Sequence, residues 1–260
     1  MNMPTPTLPT TLDFTCQPTV PSTAPRDVLR LTDASMRFGE RTLWQGVSFE
    51  VKSSEFVALI GANGAGKTTL LQSVLGLQPL SHGQVWLAPD ARIGYVPQLK
   101  NFDPRLPIRG RDLVQLGLDG GNLLFGWLSL TSRGSKPARR WWSAKQKQRL
   151  VDKAIAEVNG QAFCHAPLHL MSGGEQQRMR IAQALVNDPD LLLMDEPLLS
   201  LDVASQQIVC DILAHRKAVH HTAVLMVSHE REIIAPLVDQ VVYLSSDTTQ
   251  VGGRKLLSQL

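Results

Sequence analysis

The sequence predicts an α/β fold: a parallel sheet with helices on its faces, an added antiparallel strand layer and an inserted α-helical subdomain. Three observations carry this. The continuous apolar runs Phe56–Ile60, Leu191–Met194 and Ala223–Val227 alternate with stretches of helical periodicity, the pattern of strands buried on both faces. Two earlier segments, Val28–Leu31 and Val47–Val51, are joined by links too short for helical crossovers, so they read as antiparallel strands. Between the halves, Asp112–Leu170 is mostly helical in pattern, broken by Gly120-Gly121 and by Gly134-Ser135-Lys136-Pro137.

In chain order, Met1 to about Asp27 is rich in Thr and Pro and lacks periodic apolar positions, so it is expected to be a disordered arm. Residues 28–260 form one domain, with the helical subdomain at roughly 110–185. Phe56–Ile60 is a buried strand running into a glycine loop, and a helix follows from about Lys67 to Gly76. Helix 172–187 leads into strand Leu191–Met194. A helical segment near 203–218 leads into strand Ala223–Val227, and Val241–Leu244 is the last strand. There is no internal repeat, so the chain carries a single cassette.

Composition narrows the classes. The 260 residues are 43% apolar, enough for a sizeable core, and 26 basic residues nearly cancel 23 acidic ones. Net charge gives no argument for nucleic acid. No stretch approaches the ~18–20 apolar residues of a membrane-spanning helix, and the N-terminus lacks the pattern of a secretory signal. Cys16, Cys164 and Cys210 are odd in number and far apart, which fits a reducing compartment.

Gly61-Ala62-Asn63-Gly64-Ala65-Gly66-Lys67-Thr68 fills the eight positions of a phosphate-binding loop, between an apolar strand and a helix. Glycines let successive N–H groups converge on phosphate oxygens, and the following helix points its positive end at the same anion. The nucleotide-binding candidates here are Gly61, Asn63, Gly64, Ala65, Gly66, Lys67, Thr68 and Thr69. Lys67 adds a point charge for the β- and γ-phosphates, and Thr68 offers a hydroxyl to Mg²⁺. Leu191–Met194 runs into Asp195-Glu196, and ligands in such sheets bind beyond the carboxyl ends of the strands. Asp195 is the candidate to hold Mg²⁺ through water, and Glu196 the candidate to polarise the attacking water.

Met171-Ser172-Gly173-Gly174-Glu175 opens a helix. Ser172 and Glu175 satisfy a capping box. Two glycines in a first helical turn cost roughly 1 kcal/mol each relative to alanine. A cap does not need them, whereas close approach by a phosphate does. Ser172, Gly173, Gly174 and Glu175 are therefore a second candidate anion site.

These three motifs, in this order, resemble the ABC transporter ATPase family, from about Val28 to Leu244. The resemblance implies a RecA-like P-loop NTPase core that turns ATP and water into ADP and phosphate. It implies a homodimer in which the Ser-Gly-Gly signature of one chain faces the phosphate loop of the other. It further implies that Phe38 stacks on adenine, Gln98 senses Mg²⁺ and couples to the permease, Asp202 lies in the loop that crosses the dimer, and His229 contacts the γ-phosphate. Met171, Glu175 and Leu198 stand where leucine, glutamine and threonine are usual. Ile93–Gln98, Asp103–Pro107 and Ser-Gly-Gly-Glu are similar to the zinc and manganese importers, nearest the bacterial zinc-uptake ATPases. This implies a peripheral subunit on the cytoplasmic side of the inner membrane. Integral permease subunits would be its partners, and a periplasmic or surface metal-binding protein would act indirectly. Manganese or iron is the alternative cargo. A kinase or nucleotide switch would leave the Ser-Gly-Gly motif unexplained.

Two clusters stand outside this reading. Cys164, His165, His169, His215, His220 and His221 are metal-ligating types, but Pro167 interrupts any shared helix face. Arg133, Lys136, Arg139, Arg140, Lys145, Lys147 and Arg149 surround Trp141-Trp142 with no acid among them. That segment reads as a solvated face, a contact with anionic headgroups or a nucleic-acid contact. The last would belong to a nucleic-acid-associated ABC ATPase, a class usually marked by tandem cassettes or long coiled-coil insertions, neither of which is present.

Overall fold

A computed structural model describes residues 25–98, 107–118, 142–245 and 249–259. The proposed N-terminal arm lies almost wholly outside them. The chain opens with two 12-residue strands, β1 (Asp27–Phe38) and β2 (Arg41–Lys52), then β3 (Phe56–Gly61) and helix α1 (Lys67–Val74). Next come β4 (His82–Leu87), β5 (Ile93–Val96), α2 (Gly110–Leu118), α3 (Ala144–Glu157) and α4 (Gly173–Leu185). The second half runs β6 (Leu191–Asp195), α5 (Val203–Val219), β7 (Ala223–Val227), α6 (Arg231–Ile234), β8 (Gln240–Leu244) and β9 (Gln250–Gly253).

Two sheets result. A three-stranded antiparallel sheet has the order β2-β1-β4. A six-stranded sheet has the order β5-β6-β7-β3-β8-β9, parallel except for β9. The strands predicted as apolar runs are buried throughout, and their alternate side chains feed different cores. Phe56, Ala58 and Ile60 of β3, with Leu192, Met194, Val224 and Met226, face a core shared with α2 to α5. Val57, Leu59, Leu191, Leu193, Ala223 and Leu225 face a second core closed by α1 and the antiparallel sheet. A one-residue slip in any of these strands would exchange the two sets.

The structure extends the sequence reading at several points. β1 and β2 run well beyond Val28–Leu31 and Val47–Val51, because bulges at several points along β1 break the alternation. β4, β5 and β9 were not anticipated. β4 has no buried residue and only two half-buried ones, Val85 and Leu87, β5 is four residues long and β9 contains two glycines. Within Asp112–Leu170, α2 and α3 pack beside α4. Gly110 lies against Met171 and Met179, and Gly117 against the carbonyl of Gln183. Residues 119–141 lie outside the described residues, as do Asp103 to Leu106.

Candidate active site

Four parallel strand ends build the site. β3 ends at Gly61 and opens into the phosphate loop; β6 ends at Asp195, with Glu196 next. β5 and β7 end at Val96 and Val227, two residues before Gln98 and His229. The order β5-β6-β7-β3 brings all four ends to one edge of the sheet.

In the phosphate loop, Gly64 and Gly66 have φ of 77° and 84°, left-handed values that favour glycine. Gly61 is required for another reason: a Cβ there would lie 2.6 Å from the Leu244 carbonyl oxygen of neighbouring β8. α1 starts at Lys67 with no side-chain cap, so the first N–H groups of the helix have no acceptor within it. The ammonium of Lys67, a residue only 6% exposed, donates to the carbonyls of Gly61 (2.8 Å) and Ala62 (3.0 Å). Burial lowers its pKa, against the attraction of Glu196 and Asp195. Asn63 and Thr68 are exposed, while Ala65 and Thr69 are half-buried.

Asp195 is 2% exposed. Burial pushes its carboxyl up, the Thr68 hydroxyl bonded to it pulls the other way, and neighbouring Glu196 raises it further. Its Oδ1 is buried without a hydrogen-bond partner. Burial, and then the charge of Asp195, pushes Tyr95 up to about 12. An orphaned carboxylate oxygen beside a hydroxyl is a hard-oxygen donor set that fits Mg²⁺.

Glu196 has φ of 49° and its N–H donates to the Val227 carbonyl at 3.1 Å. This turns its side chain between two others. Gln98 Nε2 donates to Glu196 Oε2 at 3.0 Å, and His229 Nε2 lies 3.3 Å from Oε1. Three residues predicted separately thus meet in one cluster. A shallow cleft beside it is lined by Glu196, Leu198, Leu199, Ser228, His229 and Glu230. Leu198 itself is buried, so an apolar side chain at this position serves packing.

The Ser-Gly-Gly segment forms a full capping box. Glu175 N–H donates to Ser172 Oγ (3.3 Å), and Ser172 N–H to Glu175 Oε2 (2.8 Å). These hydrogen bonds stay within their own helix and do not reach the phosphate loop of the same chain. A Cβ at Gly174 would stand 2.5 Å from Ser205 Oγ and 3.1 Å from Ser205 Cβ, so packing against α5 is itself a reason for glycine there, beside close approach by a phosphate. At Gly173 the nearest atom to such a Cβ is Leu201 Cδ2 at 3.9 Å, which leaves that glycine with no packing reason. Asp202 is the N-cap residue of α5, and the Ser205 hydroxyl holds its carboxyl below the usual range. Phe38, at the end of β1, is 50% exposed and pairs with Arg41 across the turn.

Sequence reasoning missed two side chains at the site. Arg41 Nη2 reaches the Gly64 carbonyl and Trp44 Nε1 the Gly66 carbonyl, each at 3.4 Å. Among the described residues, no group of three or more His, Cys, Asp and Glu is placed to hold a metal ion. Of the basic cluster, Arg133, Lys136, Arg139, Arg140 and Trp141 lie outside the described residues, while Lys145 and Arg149 are exposed at α3. No helix among the described residues is long and apolar enough to cross a membrane.

The sequence model of the ABC transporter family matches residues 44–199. A zinc import ATP-binding protein, ZnuC 1, of Hahella chejuensis is 34% identical over 221 residues, covering 85% of this chain and 76% of that protein. An ABC transporter solved in an inward-facing conformation superposes with a TM-score of 0.74 at 23% identity, covering 89% of this chain and 85% of that one. A dimeric ATP-binding cassette bound to ADP and phosphate superposes with a TM-score of 0.69 at 22% identity, covering 87% and 98%. The phosphate loop, the acidic strand end and the capped glycine helix are thus parts of one cassette: the chain belongs to the ABC transporter family, as an ATPase whose hydrolysis is coupled to transport.

Proposed function

We propose that this chain is the ATP-hydrolysing subunit of an importer for a divalent metal ion, zinc before manganese or iron. It works as a homodimer on the cytoplasmic face of separate permease subunits, fed indirectly by a periplasmic or surface metal-binding protein. The observation that carries the hydrolytic reading is the meeting of Glu196 with Gln98 and His229 beside Lys67 and Asp195. The cargo reading is supported by relatives named for zinc import, which cover most of the chain.

The phosphate loop and the uncapped start of α1 receive the triphosphate, and Phe38 receives adenine. Lys67 exchanges its two carbonyl acceptors for β- and γ-phosphate oxygens. Thr68, Asp195 and Gln98 would hold Mg²⁺, which when bound neutralises charge on the phosphates. Glu196 takes the proton of a water as the water oxygen bonds to the γ-phosphorus. The bond from that phosphorus to the β–γ bridging oxygen breaks, leaving ADP and inorganic phosphate. His229 steadies Glu196 and donates to the γ-phosphate once nucleotide is bound. Such chemistry is mostly positioning and charge stabilisation. Ser172, Gly173 and Gly174 supply donors to the partner's nucleotide.

The cargo is tested by deleting the gene and growing cells under zinc chelation. The expected outcome is a growth defect relieved by added zinc and by the wild-type chain, but not by Glu196→Gln. Relief by manganese alone would overturn the zinc reading and leave the ATPase reading standing.

A further inference from the structure

We infer that Trp44 is a positioning residue for the nucleotide: its indole N–H holds the Gly66 peptide so that the next N–H points at phosphate. The inference deepens the proposed nucleotide site and rests on it.

Trp44 is 0% exposed, yet its one polar atom does not end in the core. Nε1 donates to the carbonyl oxygen of Gly66, 22 residues further along the chain. A buried indole N–H needs an acceptor, and here the acceptor is the last loop residue before α1. The same oxygen accepts the first intrahelical bond, from Leu70 N–H at 2.9 Å. Two donors therefore approach it from different directions. The carbonyl of Gly66 and the N–H of Lys67 belong to one planar trans peptide, where they point opposite ways. Fixing the carbonyl toward Trp44 and Leu70 fixes the Lys67 N–H toward the loop interior. That N–H has no acceptor within the helix.

The fit is close enough to exclude a side chain. A Cβ on Gly66 would lie 2.8 Å from Leu43 Cδ1 and 2.9 Å from Trp44 Nε1, at a φ of 84°. Arg41, three residues before Trp44 on β2, repeats the arrangement by donating to the Gly64 carbonyl. The antiparallel sheet thus grips the outer, carbonyl side of the phosphate loop and leaves its inner, N–H side for the anion. An untethered loop would meet the ordering cost at each binding event, which lowers affinity.

Replacing Trp44 by 3-benzothienylalanine keeps the bicyclic shape and removes only the N–H; Trp44→Phe removes the N–H and some volume. Full-length wild type and both variants are titrated with ATP by calorimetry and melted without nucleotide. A 3.4 Å hydrogen bond already made in the free chain acts on affinity through preorganisation, and its loss is worth roughly two- to threefold. ATP binding should weaken by that factor in both variants, while the melting temperature of the benzothienylalanine protein stays within about 2 °C of wild type. A benzothienylalanine protein that binds ATP as tightly as wild type overturns the inference, whatever the Phe variant does. A lowered melting temperature with unchanged affinity assigns Trp44 to packing and also overturns it. Wild type that fails to bind ATP overturns the nucleotide reading itself.

Discussion

At the residue scale, the main chemical assignment rests on how Glu196 is held. Its oxygens face Gln98 on one side and His229 on the other, so the carboxylate is oriented before any water arrives. Glu196→Gln keeps the shape but removes the base. ATP affinity should stay within a few-fold of wild type, while phosphate release in steady state falls by about 10² to 10⁴. A turnover within tenfold of wild type would remove Glu196 from that role. Lys67, Asp195 and Glu196 were legible in the sequence because each sits a fixed step beyond an apolar strand, and the covalent chain sets that step. Trp44 was not legible. Its acceptor is 22 residues away, and the strand read from the sequence, Val47–Val51, does not reach it. Gly61 was legible as a loop residue but not for its reason, which is a backbone neighbour on β8.

At the element scale, two contacts between helices carry predictions. The first is α4 on α5, where Gly174 meets Ser205. Gly174→Ala should lower stability by about 1–3 kcal/mol through overpacking, read from denaturant midpoints. Adding Ser205→Gly removes the clash together with the hydroxyl bonded to Asp202, so the recovery is read against Ser205→Gly alone. If ATPase activity returns together with stability, packing alone demands glycine at 174. If stability returns without activity, close approach to a phosphate demands it as well. The second is the ion cluster that ties α3 to α5 and to the turn after α4. Arg216, a residue 1% exposed, reaches Glu157 at 3.3 Å, Asp188 at 2.9 Å and Thr222 at 3.1 Å. Arg216→Met should cost about 1–3 kcal/mol: it removes the buried partner, while Asp188 keeps Arg92 and His220 and Glu157 keeps Lys153. Burial alone would raise the Asp188 carboxyl, but Arg216, Arg92 and His220 hold it below its ordinary 3.8. A depressed carboxyl adds stability that is complete above the unfolded value and lost as pH falls through the folded one. The wild-type advantage over Arg216→Met should therefore shrink below about pH 4, in thermal melts across pH. The helical period of α4 and α5 was readable from sequence. These cross-helix contacts were not, because each depends on one residue pair brought together by the sheet. β1 was readable only in part, because its bulges interrupt the period-two alternation by which a strand is recognised.

At the scale of the whole molecule, the question is why one chain carries two candidate anion sites that do not meet. Lys67 and Thr68 stand at the carboxyl ends of the sheet, among the acids. Ser172 caps α4 and is bonded to Glu175 within that helix, and Gly173 is its first residue. The order of the motifs was legible from sequence, and so was the parallel sheet that collects the strand ends. What one sequence does not reveal is which copy completes each site. If the second site acts on a neighbouring chain, ATP is the glue between two copies. Glu196→Gln, expected to bind ATP without cleaving it, should then run as a dimer with ATP–Mg²⁺ and as a monomer with ADP, by size-exclusion chromatography with light scattering. Adding Ser172→Arg fills the start of α4 with a bulky side chain. It should abolish the dimer, while each chain keeps its ATP affinity through its own phosphate loop. Residues that act as one unit give losses that do not add, so Ser172→Arg alone should stop turnover nearly as fully as Glu196→Gln does. A Glu196→Gln protein that stays monomeric at saturating ATP, both alone and on its permease, would place Ser172 and Gly173 outside the site, and their glycine helix would be a capped helix only.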